Sequence, residues 1–335
     1  MERNSVSLQD VAKEAGVSSQ TVSRVSNGSD AVRPETRLKV ELAMKRLGYR
    51  PNYAARALKS GKFNNIGVLL SHMSDYGNAR TLEGIVDAAA NNGYSTTIRP
   101  LDNLTDRSLA GAVKLVGKLP LDGVIIIMER DFTDFDSFRP SENLPVVLIS
   151  EEPANYCPTV DSDSYGCSIA AVDYFLSKGH RTVYHIAGPS ISRAAQSRMK
   201  GWRDALTQFG APLPAMYMGD WEADSGYQAG LALAHETDCT AVYAANDQMA
   251  YGAMIGLRAA GRRVPEDVSV IGVDDSLQGV VPRLGLTTLR LKFKDVGAEA
   301  FSMIARQCNG ENVPAGIKTV IPPEFVERES VMDLG

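Results

Sequence analysis

Residues 15–28 read AGVSSQTVSRVSNG, a segment crowded with serine and valine, both mediocre helix formers. Its flanks show how it folds. Ser7-x-x-Asp10 has the form of a capping box, and Leu8, Val11, Ala12 and Ala15 follow at helical spacing. Gly16 is placed to end that helix, because glycine enters the left-handed region without steric cost. Ser18 then caps a second helix after a short turn, which is the form of a helix-turn-helix. In the second helix Val22 and Val25 face inward, while Ser19, Gln20, Ser23 and Arg24 lie on outward faces. Asn27-Gly28 closes it. Pro34 opens a third helix, whose Val40, Ala43, Met44 and Leu47 make one apolar stripe before Gly48.

The outward face suits a nucleic-acid duplex. Glutamine pairs bidentately with adenine, arginine does so with guanine, and small serines let a helix approach phosphate. A plain three-helix bundle with a polar exterior shares the pattern. Charge bears on the choice: residues 1–62 hold 12 Lys and Arg against 6 Asp and Glu, and the remainder holds 23 against 34. A basic head on an acidic body fits a head that meets a polyanion, although a solvated charged surface would look alike. Next comes YRPNYAARALKSGKFNN (49–65), in which Asn52 can cap two turns of alanine-rich helix from Ala54 to Leu58. So short a helix is marginal alone in water. Leu58, between Arg56 and Lys59, has the character of a wedge between base steps, or of an incidental leucine on a linker.

Several classes are disfavoured. The 335 residues are ample for about two domains. No apolar run approaches a membrane span, so no membrane partner is expected. The polar start MERNSVSLQDVAKEAG lacks a secretory apolar region, which predicts a cytoplasmic location. Cys157, Cys167, Cys239 and Cys308 show no CxxC spacing and read as buried free thiols. His72, His180, His185 and His235 form no HxxxH pair, so neither a metal nor a cofactor is expected.

From Asn65 on, the apolar runs IGVLL, GVIIIM, PVVLIS, TVYHIAG, TAVYAAND and VSVIGVDD alternate with helical patterns. That is the α/β pattern of parallel strands covered on both faces, and ligands of such sheets gather outside the strands' carboxyl ends. The residues found there are Ser71, Ser150, Asn246-Asp247 and Asp274-Asp275, with Arg198 beyond the loop after TVYHIAG and Trp221 in GDW after MYM. Polar groups of these kinds fix hydroxyls, and an aromatic face covers the C–H face of a sugar ring. Individually, Trp221 could be core, Arg198 could pair with a surface carboxylate, and Asp275 reads as the cap of a following helix.

The two segments LQDVAKEAGVSSQTVSRVSNG and VRPETRLKVELAMKRLGYRPNYAARAL resemble the headpiece and hinge of the lactose/galactose repressor family, and the likeness continues through the body. The resemblance implies an all-α helix-turn-helix headpiece (1–50), a hinge helix and linker (51–62), and an effector-binding and dimerisation core (63–335). That core would be two doubly wound parallel-sheet α/β subdomains similar to type I periplasmic sugar-binding proteins. The N-subdomain would span about 63–163 and 293–322, and the C-subdomain about 164–292 and 323–335. By the same resemblance Ser19, Gln20 and Arg24 read the major groove, and Thr21, Ser23 and Asn27 lie near phosphate. Leu58 is the minor-groove lever supported by Ala55, and Ser7, Leu8, Ser18 and Asn52 complete the DNA-facing set. In the core, Arg198, Asn246 and Asp274 would hold ligand hydroxyls, beside Trp221 and Phe293.

Three positions depart from the member for which the family is named. It has tyrosine at Ser19, aspartate at Ser150 (here followed by Glu151) and glutamine at Leu291, so its operator and its galactoside specificity do not carry over. A leucine-heptad tail is missing after Gly335, which implies a homodimer rather than a tetramer. The expected function is repression of carbohydrate-utilisation genes from a pseudo-palindromic duplex operator, with release by a sugar or glycoside effector. The alternatives are a nucleobase corepressor that strengthens DNA binding, a glycosidase using Asp247, Asp274 or Asp275, and a transport sugar-binding protein.

Overall fold

The computed structural model describes residues 6–26, 29, 31–49, 61–101, 107–141 and 143–335. Asn27, Asn52, Ala55, Leu58 and the expected hinge helix lie outside the described residues. The chain divides into two units, 1–63 and 64–335.

In the first unit, α1 (Leu8–Ala15) opens on the expected capping box: Asp10 N donates to Ser7 Oγ, and Ser7 N donates to Asp10 Oδ2 at 2.8 Å. Gly16, at φ 66°, ends it, and α2 (Ser19–Ser26) starts with Thr21 N donating to Ser18 Oγ at 3.2 Å. Pro34 begins α3 (Pro34–Leu47) and Gly48, at φ 65°, terminates it. Val11, Ala12, Val22, Val25, Val32, Val40 and Ala43 form the shared core. The valines that looked unpromising in α2 are its contribution to that centre, since β-branched side chains pack well once tertiary contacts outweigh propensity.

The second unit has two six-stranded sheets among the described residues. One has the order β11-β5-β4-β3-β1-β2 and the other β12-β10-β9-β8-β6-β7. The strands are β1 (Asn65–Leu70), β2 (Ser95–Pro100), β3 (Gly123–Ile127), β4 (Val146–Ile149), β5 (Thr159–Asp161), β6 (Tyr184–Ala187), β7 (Met216–Met218), β8 (Ala241–Ala244), β9 (Ser269–Val273), β10 (Thr287–Arg290), β11 (Lys318–Val320) and β12 (Glu324–Val326). Helices α4 (Tyr76–Asn91), α5 (Leu109–Val116) and α10 (Phe293–Cys308) cover the first sheet. Helices α6 (Ser164–Ser177), α7 (Arg193–Gln208), α8 (Ala223–Leu233) and α9 (Asp247–Ala259) cover the second.

Strand alternation feeds both faces of each sheet. Ile66, Val68 and Leu70 point into one core with Ile125, Ile127, Val147 and Ile149, whereas Leu69 joins Val124, Ile126, Val146 and Leu148 on the other side. The chain passes between the sheets three times: from β5 to α6, from β10 to α10, and from β11 to β12. Pairing is parallel except for β12, which runs antiparallel to β10. The expected helix cap at Asp275 is corrected. No helix follows it, and its carboxylate instead accepts from Arg290 Nη2 at 2.6 Å and Arg328 Nη2 at 2.9 Å.

Two helix pairs meet backbone to backbone. A Cβ on Gly226 of α8 would lie 2.1 Å from Met249 O, and one on Gly252 of α9 would lie 1.9 Å from Ala223 O. The pair α4 and α10 repeats the device, with Gly84 against Lys294 O and Gly297 against Thr81 O, each at 2.2 Å. Among the described residues no helix is long and apolar enough to cross a membrane.

Candidate functional site

The face of α2 matches the sequence reading. Val22 and Val25 are buried, Ser19, Gln20 and Arg24 are exposed, and Thr21 and Ser23 are half-buried. Ser7 and Ser18 are exposed with their hydroxyls engaged in capping, so they hold the helix starts, and Leu8 packs partly against the core. A short helix with an exposed polar face and small serine side chains has the form that enters a major groove.

In the second unit a cleft of about 660 Å³ opens between the carboxyl ends of the two sheets. This volume lies within the range of small-molecule sites. Six of the seven expected effector residues line it: Ser150, Arg198, Trp221, Asn246, Asp274 and Phe293. Ser71 ends β1 half-buried and is outside the lining, which begins at His72.

Each of these side chains is held by its neighbours. Arg198, buried on α7, donates through Nη1 to Ala245 O, stands 3.5 Å from Asp274 Oδ1, and keeps its Nε–H without a partner. Burial raises the Asp274 carboxyl above the ordinary range, and Arg198 opposes that shift. Asn246 caps α9 by accepting from Met249 N at 2.9 Å, and its amide donates to Trp221 O at 2.8 Å. That bond helps hold Trp221 at φ 78°, in the left-handed region that a bulky residue occupies only under constraint. The indole rests on Gly188, where a Cβ would come within 2.3 Å of it, and Arg198 lies 5.6 Å from its ring centroid. Trp221 both packs against the core and presents a face to the cleft.

Of the carboxylates weighed for glycoside hydrolysis, only Asp274 faces the cleft. Asp247 accepts from Thr288 Oγ1 and Ser276 N, burial pushing its carboxyl up to about 8, and Asp275 is held by its two arginines. No pair is assembled.

The cleft also holds residues not singled out from the sequence. Glu129 and Arg130 follow β3, and His72 and Asp75 follow β1. His72 Nδ1 lies 2.9 Å from Glu129 Oε2, which raises the imidazole, and Asn78 donates to Glu129 Oε1. His72, Asp75 and Glu129 place ligand-type atoms within 4.8 Å of one another and could hold a metal ion, yet Arg130 Nη2 at 3.5 Å from His72 Nε2 works against a further cation. The rule of strand ends, applied to GVIIIM, would have reached Glu129.

Arg193 carried no such signal. From the start of α7 in the second subdomain it reaches the first, meeting Asp131 Oδ1 at 2.5 Å and Glu152 Oε2 at 2.8 Å, while its backbone N donates to Glu129 O. It is 6% exposed, a tether across the lips of the cleft.

Residues 7–52 match the family described as bacterial regulatory proteins, lacI family, and residues 172–331 match a periplasmic binding protein-like domain. The chain is 34% identical to catabolite control protein A of Priestia megaterium over 319 residues, which covers 93% of this chain and 95% of that protein. Its structure resembles that of the lac repressor dimer bound to operator and the anti-inducer ONPF, at a TM-score of 0.82 and 29% identity over 98% of this chain and 100% of that one. It also resembles the complex of the transcriptional regulator CelR with cellobiose, at a TM-score of 0.68 and 30% identity over 97% and 99% of the two chains.

Proposed function

The chain belongs to the lacI family of bacterial regulatory proteins, and we propose that it is a cytoplasmic homodimeric repressor of carbohydrate-utilisation genes, released from its operator by a sugar or glycoside. It is a DNA-binding transcriptional regulator, and its relatives are regulators rather than enzymes. The observation that carries the effector reading is the convergence of Ser150, Arg198, Trp221, Asn246 and Asp274 on one cleft between two subdomains.

In this reading residues 1–50 are the headpiece, 51–62 the hinge and 63–335 the core, and Ser19, Gln20 and Arg24 face bases. The two headpieces of a dimer occupy two half-sites, so the operator is pseudo-palindromic. Ring hydroxyls meet Arg198, Asp274 and Asn246, and the C–H face of the ring lies on Trp221. Effector acts by binding the two dimer forms unequally, which is the whole thermodynamic requirement.

The test is a thermal-shift screen of mono- and disaccharides with free nucleobases alongside, followed by operator release with whatever binds. A ligand confined to the native state raises its stability, by about 2.7 kcal/mol at a hundredfold excess over Kd. Arg198→Ala should keep operator affinity within about twofold while removing the effector response, since it leaves Asp274 buried and unpaired in the pocket. A wild-type effector titration in that variant would refute the pocket, and stabilisation by a nucleobase alone would replace the sugar.

A further inference from the structure

We infer that Asp247 is a positioning residue of the effector site, holding from outside the cleft lining the backbone turn that aims Asp274 into the cleft. The inference rests on the reading that Asp274 meets the hydroxyls of a sugar.

Asp274 occupies a conformation that needs support. It follows the last residue of β9 at φ 99°, Asp275 follows at φ 54°, and residues 274–286 carry no helix or strand. Positive φ at two successive residues other than glycine persists only where the surroundings impose it. On the near side the turn is fixed by Asp274 N, which donates to Leu289 O at 2.9 Å. On the far side it is fixed by Ser276 N, which donates to Asp247 Oδ2 at 2.8 Å. Arg290 and Arg328 grip the side chain of Asp275, whereas Asp247 takes hold of the backbone itself.

Asp247 is in turn fixed where it stands. It is the first residue of α9, it is 2% exposed, and it is not part of the cleft lining. Its Oδ1 accepts from Thr288 Oγ1 at 2.7 Å. Gly272, paired with Thr288 across β9 and β10, makes room for that oxygen, since a Cβ there would lie 2.3 Å from it. Burial raises the carboxyl, yet the tie survives a change of charge. A neutral acid donates its proton to the Thr288 hydroxyl and keeps its other oxygen for Ser276 N. The preceding residue acts in the same way on the opposite wall, because Asn246 donates to Trp221 O and Trp221 also holds a positive φ, 78°. The start of α9 thus anchors both the aromatic and the carboxylate side of the site.

The experiment uses the full-length protein, with isothermal titration well below the unfolding temperature and D-glucose, D-galactose, lactose and cellobiose as probes. Asp247→Ala should weaken whichever of these wild type binds by about tenfold, because a loosened turn leaves Asp274 off its productive geometry. It should also speed amide exchange in the peptide spanning 274–280 and leave operator affinity unchanged. Asp247→Asn keeps an acceptor for Ser276 N and a donor for Thr288, and should bind within about twofold of wild type. A residue that served stability alone would lower the unfolding midpoint of the alanine variant without altering the affinity of the folded protein. That result overturns the inference, as does unchanged exchange. Should Asp247→Ala fail to fold, Thr288→Val frees the carboxyl on one side and should cost about threefold in affinity, with equal affinity counting against the tie. If wild type binds none of the four sugars, the sugar reading falls, and exchange in the 274–280 peptide still decides whether Asp247 holds the turn.

Discussion

Asp274 and Asp275 are adjacent, yet one faces the cleft and the other joins Arg290 and Arg328 outside it. Both hold positive φ, 99° and 54°, and that kink sends neighbouring carboxylates to separate places. The dipeptide was legible as a strand end but not the division of labour, because a sequence carries no sign of a left-handed pair that lacks glycine. His185 shows the reverse. Its lack of a metal-type partner spacing marked it as structural, and it is a core group stacked between Trp202 and Tyr243, with Nδ1 2.9 Å from Tyr243 O. Burial lowers its imidazole from 6.5 to about 4. The folded state therefore keeps it neutral while the unfolded chain takes up a proton. Its contribution is complete above 6.5 and is lost as pH falls towards 4, amounting to about 3 kcal/mol. Thermal unfolding of His185→Phe should fall less steeply than that of wild type over this interval, and parallel curves would refute the assignment.

At the scale of elements, the two glycine seams set how closely helices pack. The spacing was readable, since Gly226 and Gly230 in α8 and Gly252 and Gly256 in α9 each recur after three residues. The partner was not readable, because nothing local says which helix a bare stripe will meet. Gly252→Ala would drive a methyl into Ala223 O, leaving helix separation as the only relief. We expect a loss of about 3 kcal/mol, read from the urea midpoint, because overpacking of this kind has no flexible neighbour to give way. An unchanged midpoint would mean that the helices part freely. The tether at Arg193 is likewise tertiary in origin. Arg193→Ala should weaken effector affinity about fivefold, because the ligand must then draw the lips together unaided. Calorimetric titration would show it, and unaltered affinity would show that the pairs with Asp131 and Glu152 are incidental.

At the scale of the molecule, the sequence foretold a basic head and an acidic body, and the parallel sheets followed from uninterrupted apolar runs between helices. Less was legible of the cleft. Residues at strand ends could be named, whereas those that complete its wall depend on how two sheets face each other across three passages of the chain. Charge separation between head and body predicts that operator affinity falls steeply with salt. Six phosphate contacts would give about a thousandfold loss between roughly 50 and 200 mM. A flat dependence in a filter-binding or anisotropy series would count against a groove-bound headpiece.

The Arg193 pairs add something to that dependence. Their carboxylate partners are largely exposed, so dissolved ions reach them and weaken the hold across the cleft. The same rise in salt that loosens the operator should therefore also weaken effector binding, and effector titrations across a salt series in wild type and Arg193→Ala would show whether the dependence runs through these pairs.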